Sequence, residues 1–146
     1  MDKTCGDALP PVFMSNTNHV DLIFETDHSV TESGWAVKWS AVSPDVVVSR
    51  NYPGQYPNNL EQVETITTEA GKVLVLDFTI FDIELHSNCN YDSLTIVDQD
   101  GTTLLEKSCG NILPAQITSR TNEVHLTFKT DHSVTKNGWV LNVRSE

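Results

Sequence analysis

Basic residues are scarce in this chain: nine Lys and Arg stand against twenty Asp and Glu, a formal net charge of −11 over 146 residues. A chain of that sign repels nucleic acid and anionic membrane surfaces and favours cationic partners or metal ions. Nor does any stretch approach the roughly 20 apolar residues of a transmembrane helix, so no membrane insertion is expected. The opening Met-Asp-Lys-Thr-Cys-Gly-Asp lacks the apolar run of a signal peptide. Met1 therefore reads as an artificial start, unless a leader has already been removed. The five histidines show neither His-x-x-x-His nor His-Glu-x-x-His spacing, which leaves zinc peptidase chemistry unsupported. With no Asn-x-Ser/Thr sequon, N-glycosylation lends no support to secretion. No helical period persists past two turns.

What is present is a repeat. Residues 4–40 align without a gap to residues 108–144 at an offset of 104, with 18 of 37 positions identical. The chain reads as one complete unit, 42–146, preceded by the C-terminal part of an earlier unit, 1–41. Val20, Leu22 and Phe24 match Val124, Leu126 and Phe128, while the residues between them drift. Apolar retention with a period of two describes a half-buried antiparallel strand. The polar run Thr-Asp-His-Ser-Val-Thr is kept whole at 26–31 and 130–135. A loop has no core to fill, so a turn geometry or a ligand must hold it.

Alternation also marks 73–81 and 92–98. Further strand candidates are 46–49, 63–68, 103–106, 115–118, 123–130 and 138–143, separated by turn-rich pieces such as 51–59. The fold class is all-β, an antiparallel β-sandwich, with an extra three-strand fragment at the N-terminus. Trp35 and Trp139 each follow a glycine and begin an alternating strand, and both are read as core.

The three cysteines do not pair off. Cys89 and Cys109 lie in the complete unit; Cys5 is the repeat counterpart of Cys109, and a counterpart of Cys89 would fall ahead of residue 1. A Cys89–Cys109 disulfide is expected, with Cys5 left over. Such a bridge contributes roughly 3 kcal/mol in the chain-entropy model and belongs to oxidising compartments.

Ser49-Arg-Asn-Tyr-Pro-Gly-Gln-Tyr-Pro-Asn-Asn59, Phe81-Asp-Ile-Glu-Leu85, Cys89-Asn-Tyr-Asp-Ser-Leu94, Ser108-Cys-Gly110 and Phe128-Lys-Thr-Asp131 with Gly138-Trp139 follow one another in an order and spacing that resembles a CUB domain. The match covers 42–146, and 1–41 resembles the end of a preceding CUB unit. The resemblance implies an extracellular jelly-roll sandwich that binds proteins or glycans and is not itself an enzyme. One departure is Gln62, which stands where a cysteine of the family's first disulfide would. The domain is left with a single bridge, as in several calcium-binding members.

Glu84 and Asp92 flank Cys89 on one inter-strand connection, and Asp131 opens the retained loop. Three carboxylates gathered without a nearby cation bind a metal or raise their pKa values. Hard oxygen donors favour calcium over zinc. In calcium-binding CUB domains, residues matching Glu84, Asp92 and Asp131 are ligands, one matching Ser133 contributes through its backbone, and a tyrosine matching Tyr56 orients the glutamate. The resemblance further implies that a partner lysine or arginine reaches the same acidic rim, with Tyr91 and His132 as contact candidates. Calcium affinity near the 10⁻⁴–10⁻³ M of extracellular modules is expected, or tighter if the loops are rigid.

Solvated loops are the ordinary fate of acids in so acidic a chain, and Tyr56 and Tyr91 could equally serve packing. Asp131-His132-Ser133 invites a hydrolase reading, but consecutive residues of an extended loop diverge and cannot form a triad. The functional expectation is a secreted, calcium-dependent protein-binding module. The alternative is a structural repeat of an extracellular matrix, secretion or filament assembling through CUB–CUB or strand-exchange contacts, including self-association through 1–41. Glycan binding, as in the spermadhesin branch, is a third reading.

Overall fold

The computed structural model describes residues 4–8, 10, 20–37 and 45–146. Eight strands lie in the last of these segments: β1 Val46–Val48, β2 Glu61–Thr67, β3 Leu74–Asp82, β4 Ser93–Asp98, β5 Thr103–Ser108, β6 Ile117–Thr118, β7 Glu123–Lys129 and β8 Gly138–Ser145. They form two four-stranded sheets, ordered β1-β8-β3-β6 and β2-β7-β4-β5, and every pairing is antiparallel. The all-β sandwich read from alternation is the fold observed.

Between the sheets sit Leu74, Leu76, Phe78, Phe81, Trp139 and Leu141 from one side and Leu94, Ile96, Val124, Leu126 and Phe128 from the other. Each fully buried side chain of this kind stabilises the fold by about 1.5–3 kcal/mol relative to exposure. Phe128 meets both Tyr56 and Trp139 edge to face, at centroid distances of 5.0 and 6.0 Å.

β3 departs from simple alternation. Ile80 continues the inward series Leu74, Leu76, Phe78 in sequence, yet the register against β8 jumps from Phe78↔Leu141 to Ile80↔Val140. The extra residue, Thr79, is a bulge that turns the strand over. Phe81 opposite Trp139 is buried instead, and Ile80 is only half-buried.

Three connections meet at one end of the sandwich. Register places the end of β1 beside β8 at Val48↔Val140, the end of β3 beside the start of β8 at Asp82↔Gly138, and the starts of β2 and β4 both against Lys129. Residues 49–60, 83–92 and 130–137 therefore share that end. Gly138 admits the close approach: its φ of 80° is left-handed, and a Cβ there would lie 1.9 Å from the Ser49 hydroxyl, which accepts the Trp139 N–H at 3.1 Å.

The three strands expected within 1–41 do not form among the described residues there, and the boundary placed between 41 and 42 lies outside the described residues. Trp35, read as core, is 56% exposed, against 0% for Trp139. A strand needs a neighbour for its N–H and C=O groups and a second layer for its apolar face, and the described residues of the fragment form neither a strand nor a buried face.

Candidate functional site

Tyr56 comes from the β1–β2 connection, Glu84 and Asp92 from β3–β4, and Asp131 and Ser133 from β7–β8. Main-chain bonds lock these loops to one another. Asn59 N–H donates to the Asp131 carbonyl at 2.6 Å, Tyr56 N–H to that of Lys136 at 3.1 Å, and Thr130 N–H to that of Leu60 at 3.0 Å. The Thr130 hydroxyl accepts the Leu60 N–H at 2.9 Å and donates to the Pro57 carbonyl at 2.8 Å. The Cys89–Cys109 disulfide, with Cα atoms 5.5 Å apart, ties the β3–β4 connection to the end of β5, and an isolated bridge joins Ile83 to Gly110.

On this frame one carboxylate oxygen each from Glu84, Asp92 and Asp131 lies within 4.8 Å of the others. Asp92 is fully buried. Its Oδ2 accepts the Tyr56 hydroxyl at 2.6 Å and its Oδ1 the Asp131 N–H at 2.8 Å. Asp131 Oδ1 accepts the Ser133 N–H at 2.8 Å, which fixes the turn of the retained polar loop. Tyr56 also accepts the Glu84 N–H at 3.0 Å. The tyrosine expected to orient the glutamate thus reaches the glutamate's main chain and the carboxylate of Asp92.

Glu84 Oε2 is buried and has no hydrogen-bond partner; Trp139 Nε1 is the other such atom among the described residues. Desolvation pushes the Glu84 carboxyl above its ordinary value, and the charges of Asp92 and Asp131 add to the rise. Lys136 and His86 oppose it more weakly. The three acids are therefore not without a nearby cation, as the sequence suggested; Lys136, five residues past Asp131 in the same connection, was the signal. An orphaned, desolvated carboxylate oxygen facing two other carboxylates is a donor set suited to a hard divalent cation such as calcium.

Around this cluster lie exposed groups. Tyr91 is 49% exposed and meets the His86 ring at a tilt of 45°, with ring centroids 4.2 Å apart. The His132 side chain stands largely in solvent, its Nδ1 3.8 Å from Asp131 Oδ2. Tyr91 stands beside the cluster on His86, and His132 reaches its edge at Asp131.

The CUB domain family model matches residues 1–39 and 42–143, and the chain belongs to that family. It is 30% identical to cubilin of Rattus norvegicus over 155 residues, covering 95% of this chain and 4% of that protein, so it spans a small part of the relative's length. A solved MASP-1 CUB2 domain bound to Ca2+ is 32% identical with a TM-score of 0.63, covering 68% of this chain and 89% of that one. The full extracellular region of zebrafish Gpr126/Adgrg6 matches at 25% identity and a TM-score of 0.61, covering 68% of this chain and 13% of that one.

Proposed function

We propose that residues 45–146 are an extracellular, non-catalytic module that binds a protein partner in a calcium-dependent way. CUB domains are typically extracellular protein-binding modules. The observation that carries the calcium reading is the Glu84 carboxylate, desolvated, orphaned at Oε2 and set against Asp92 and Asp131. Glu84, Asp92, Asp131 and the backbone of Ser133 would hold the ion. It would offset the mutual repulsion of the acids and fix the two connections that bear them. The outward lone pairs of the same carboxylates would then accept a partner ammonium or guanidinium, with Tyr91 and His132 beside it. The neighbour solved with Ca2+ supports the choice of ion.

The test is a thermal midpoint in calcium and in chelator for the wild type, Glu84→Ala and Asp131→Ala. With a Kd of about 10⁻⁴–10⁻³ M, 1 mM calcium stabilises the wild type by about 0.4–1.4 kcal/mol, a rise of a few degrees that both variants lose. Equal midpoints in calcium and chelator would sink the metal reading. For the rim, N-acetyl-lysine amide should shift the NMR signals of Tyr91 and His132 in calcium and not in chelator. Its norleucine analogue should do neither.

A further inference from the structure

Residues 20–37 share several local contacts and turns with residues 124–141 although they pair with no strand. Gly34 has a φ of 77° where Gly138 has 80°, and further upstream Gly6 has 90° where Gly110 has 87°. Ser29 N–H donates to Asp27 Oδ1 at 2.9 Å, matching Ser133 on Asp131 at 2.8 Å. The Phe24 and Trp35 rings meet edge to face at 5.8 Å, as Phe128 and Trp139 do at 6.0 Å. Strand pairing, burial and one loop dihedral differ: Val134 has a left-handed φ of 50° and Val30 does not. Val124, Leu126, Phe128 and Trp139 are all 0% exposed, while Val20, Leu22, Phe24 and Trp35 are 49%, 64%, 63% and 56% exposed.

The second copy shows what covers such a face. β7 lies between β2 and β4, and β8 between β1 and β3, all of them in 45–107. The polar anchors point the same way. Thr130 is bonded to Pro57 and Leu60, the Asp131 main chain to Asn59 and Asp92, and Cys109 to Cys89, while Gly138 packs on Ser49. Their counterparts Thr26, Asp27, Cys5 and Gly34 are identical in type, and Cys5 is free and exposed.

We propose that residues 4–8 and 20–37 belong to a second closing segment, shaped to dock on a β1–β5 half-sandwich of the kind formed by residues 45–107. The two copies differ at the positions of β7 that point away from the core: Asp21 for His125, Ile23 for Thr127 and Glu25 for Lys129. One of these changes sets specificity. Lys129 Nζ lies 2.9 Å from Glu61 Oε1 across β2 and β7, so Glu25 in that place would meet a like charge. Residues 45–107 thus prefer residues 108–146. The half-sandwich best matched to the first copy has a base at position 61, together with the acids at 84 and 92 and the cysteine at 89.

The experiment weakens the copy in place in the full chain with Cys109→Ser/Trp139→Ala and refolds it in a glutathione buffer. Peptide mapping should find a Cys5–Cys89 disulfide in a protein that unfolds cooperatively. Adding Trp35→Ala should abolish the transition, although Trp35→Ala alone leaves the wild-type midpoint unchanged. Adding Glu61→Lys should raise the midpoint in the weakened background and lower it in the wild type. The proposal is overturned if Cys5 and Cys89 end as free or glutathione-capped thiols. A Cys5–Cys89 bridge whose midpoint ignores Trp35→Ala would overturn it too.

Discussion

The Tyr56 hydroxyl donates to Asp92 Oδ2 at 2.6 Å and receives the Glu84 N–H at 3.0 Å, so one phenol holds both ends of the β3–β4 connection at the acidic cluster. Desolvation first, and then the bond to Asp92, push its pKa far above the ordinary 10.0, which keeps the proton on the phenol at neutral pH. Tyr56→Phe keeps the ring against Phe128 and removes only the oxygen. A buried hydrogen bond to a charged acceptor is worth about 1.5–3 kcal/mol, and denaturant unfolding in chelator should show a loss of that size. If calcium binds here, its stabilising shift should shrink as well, because Asp92 loses the donor that orients it.

Glu84 makes the metal-free protein pH-dependent in a predictable direction. Its carboxyl titrates above the ordinary 4.5 because burial, Asp92 and Asp131 all disfavour its charge. A raised carboxyl costs nothing below its unfolded value and destabilises the fold progressively as pH rises through the folded value. In chelator, the gap in midpoint between Glu84→Gln and wild type should therefore open in favour of the variant from pH 4.5 upward. In calcium the order should reverse, since the neutral amide is the poorer ligand. A wild type no less stable than Glu84→Gln in chelator at pH 7 would show that the carboxylate is already well solvated.

Gln62, which the family resemblance sets where a cysteine is expected, ties β2 to the end of β1 through its side chain. It is buried on β2, accepts the Arg50 N–H at 2.9 Å and donates to the Val48 carbonyl at 3.0 Å, joining the second sheet to the end of β1 in the first. Removing it strands both backbone groups. Unsatisfied buried groups cost about 1–3 kcal/mol, so Gln62→Ala should lower stability by about 2 kcal/mol. The effect should persist in calcium, because the clamp lies outside the acid cluster.

Strands were legible because apolar residues alternate: Val124, Leu126 and Phe128 point inward as read, and so do Leu94 and Ile96. The bulge at Thr79 was not, since Ile80 is as apolar as Phe81 and nothing in composition marks the inserted residue. Glu84, Asp92 and Asp131 were named from ordered motifs, but Lys136 was overlooked because its approach depends on how 130–137 folds back over Tyr56. The reading of Trp35 as core assumed that identical residues share an environment. Burial belongs to the neighbouring strands, and none covers Trp35 among the described residues.

The opposite end of the sandwich holds an acid with the reverse pH behaviour. Burial works against the charge of Asp98, but the Thr121 hydroxyl, the Arg120 N–H at 2.5 Å, and the Thr121 and Gln99 N–H groups outweigh it and hold the carboxyl below the ordinary 3.8. A depressed carboxylate stabilises fully above its unfolded value and loses that contribution as pH falls through the folded value. Asp98→Asn should thus cost about 1–3 kcal/mol at pH 7, with the gap to wild type closing below about pH 3.8. Asp98 sits where β4 ends and the β6–β7 connection crosses it, far along the strands from the cluster at their other end. Any calcium shift should survive this substitution unchanged, and its loss would mean that the acid cluster depends on the global fold more than on its own three connections.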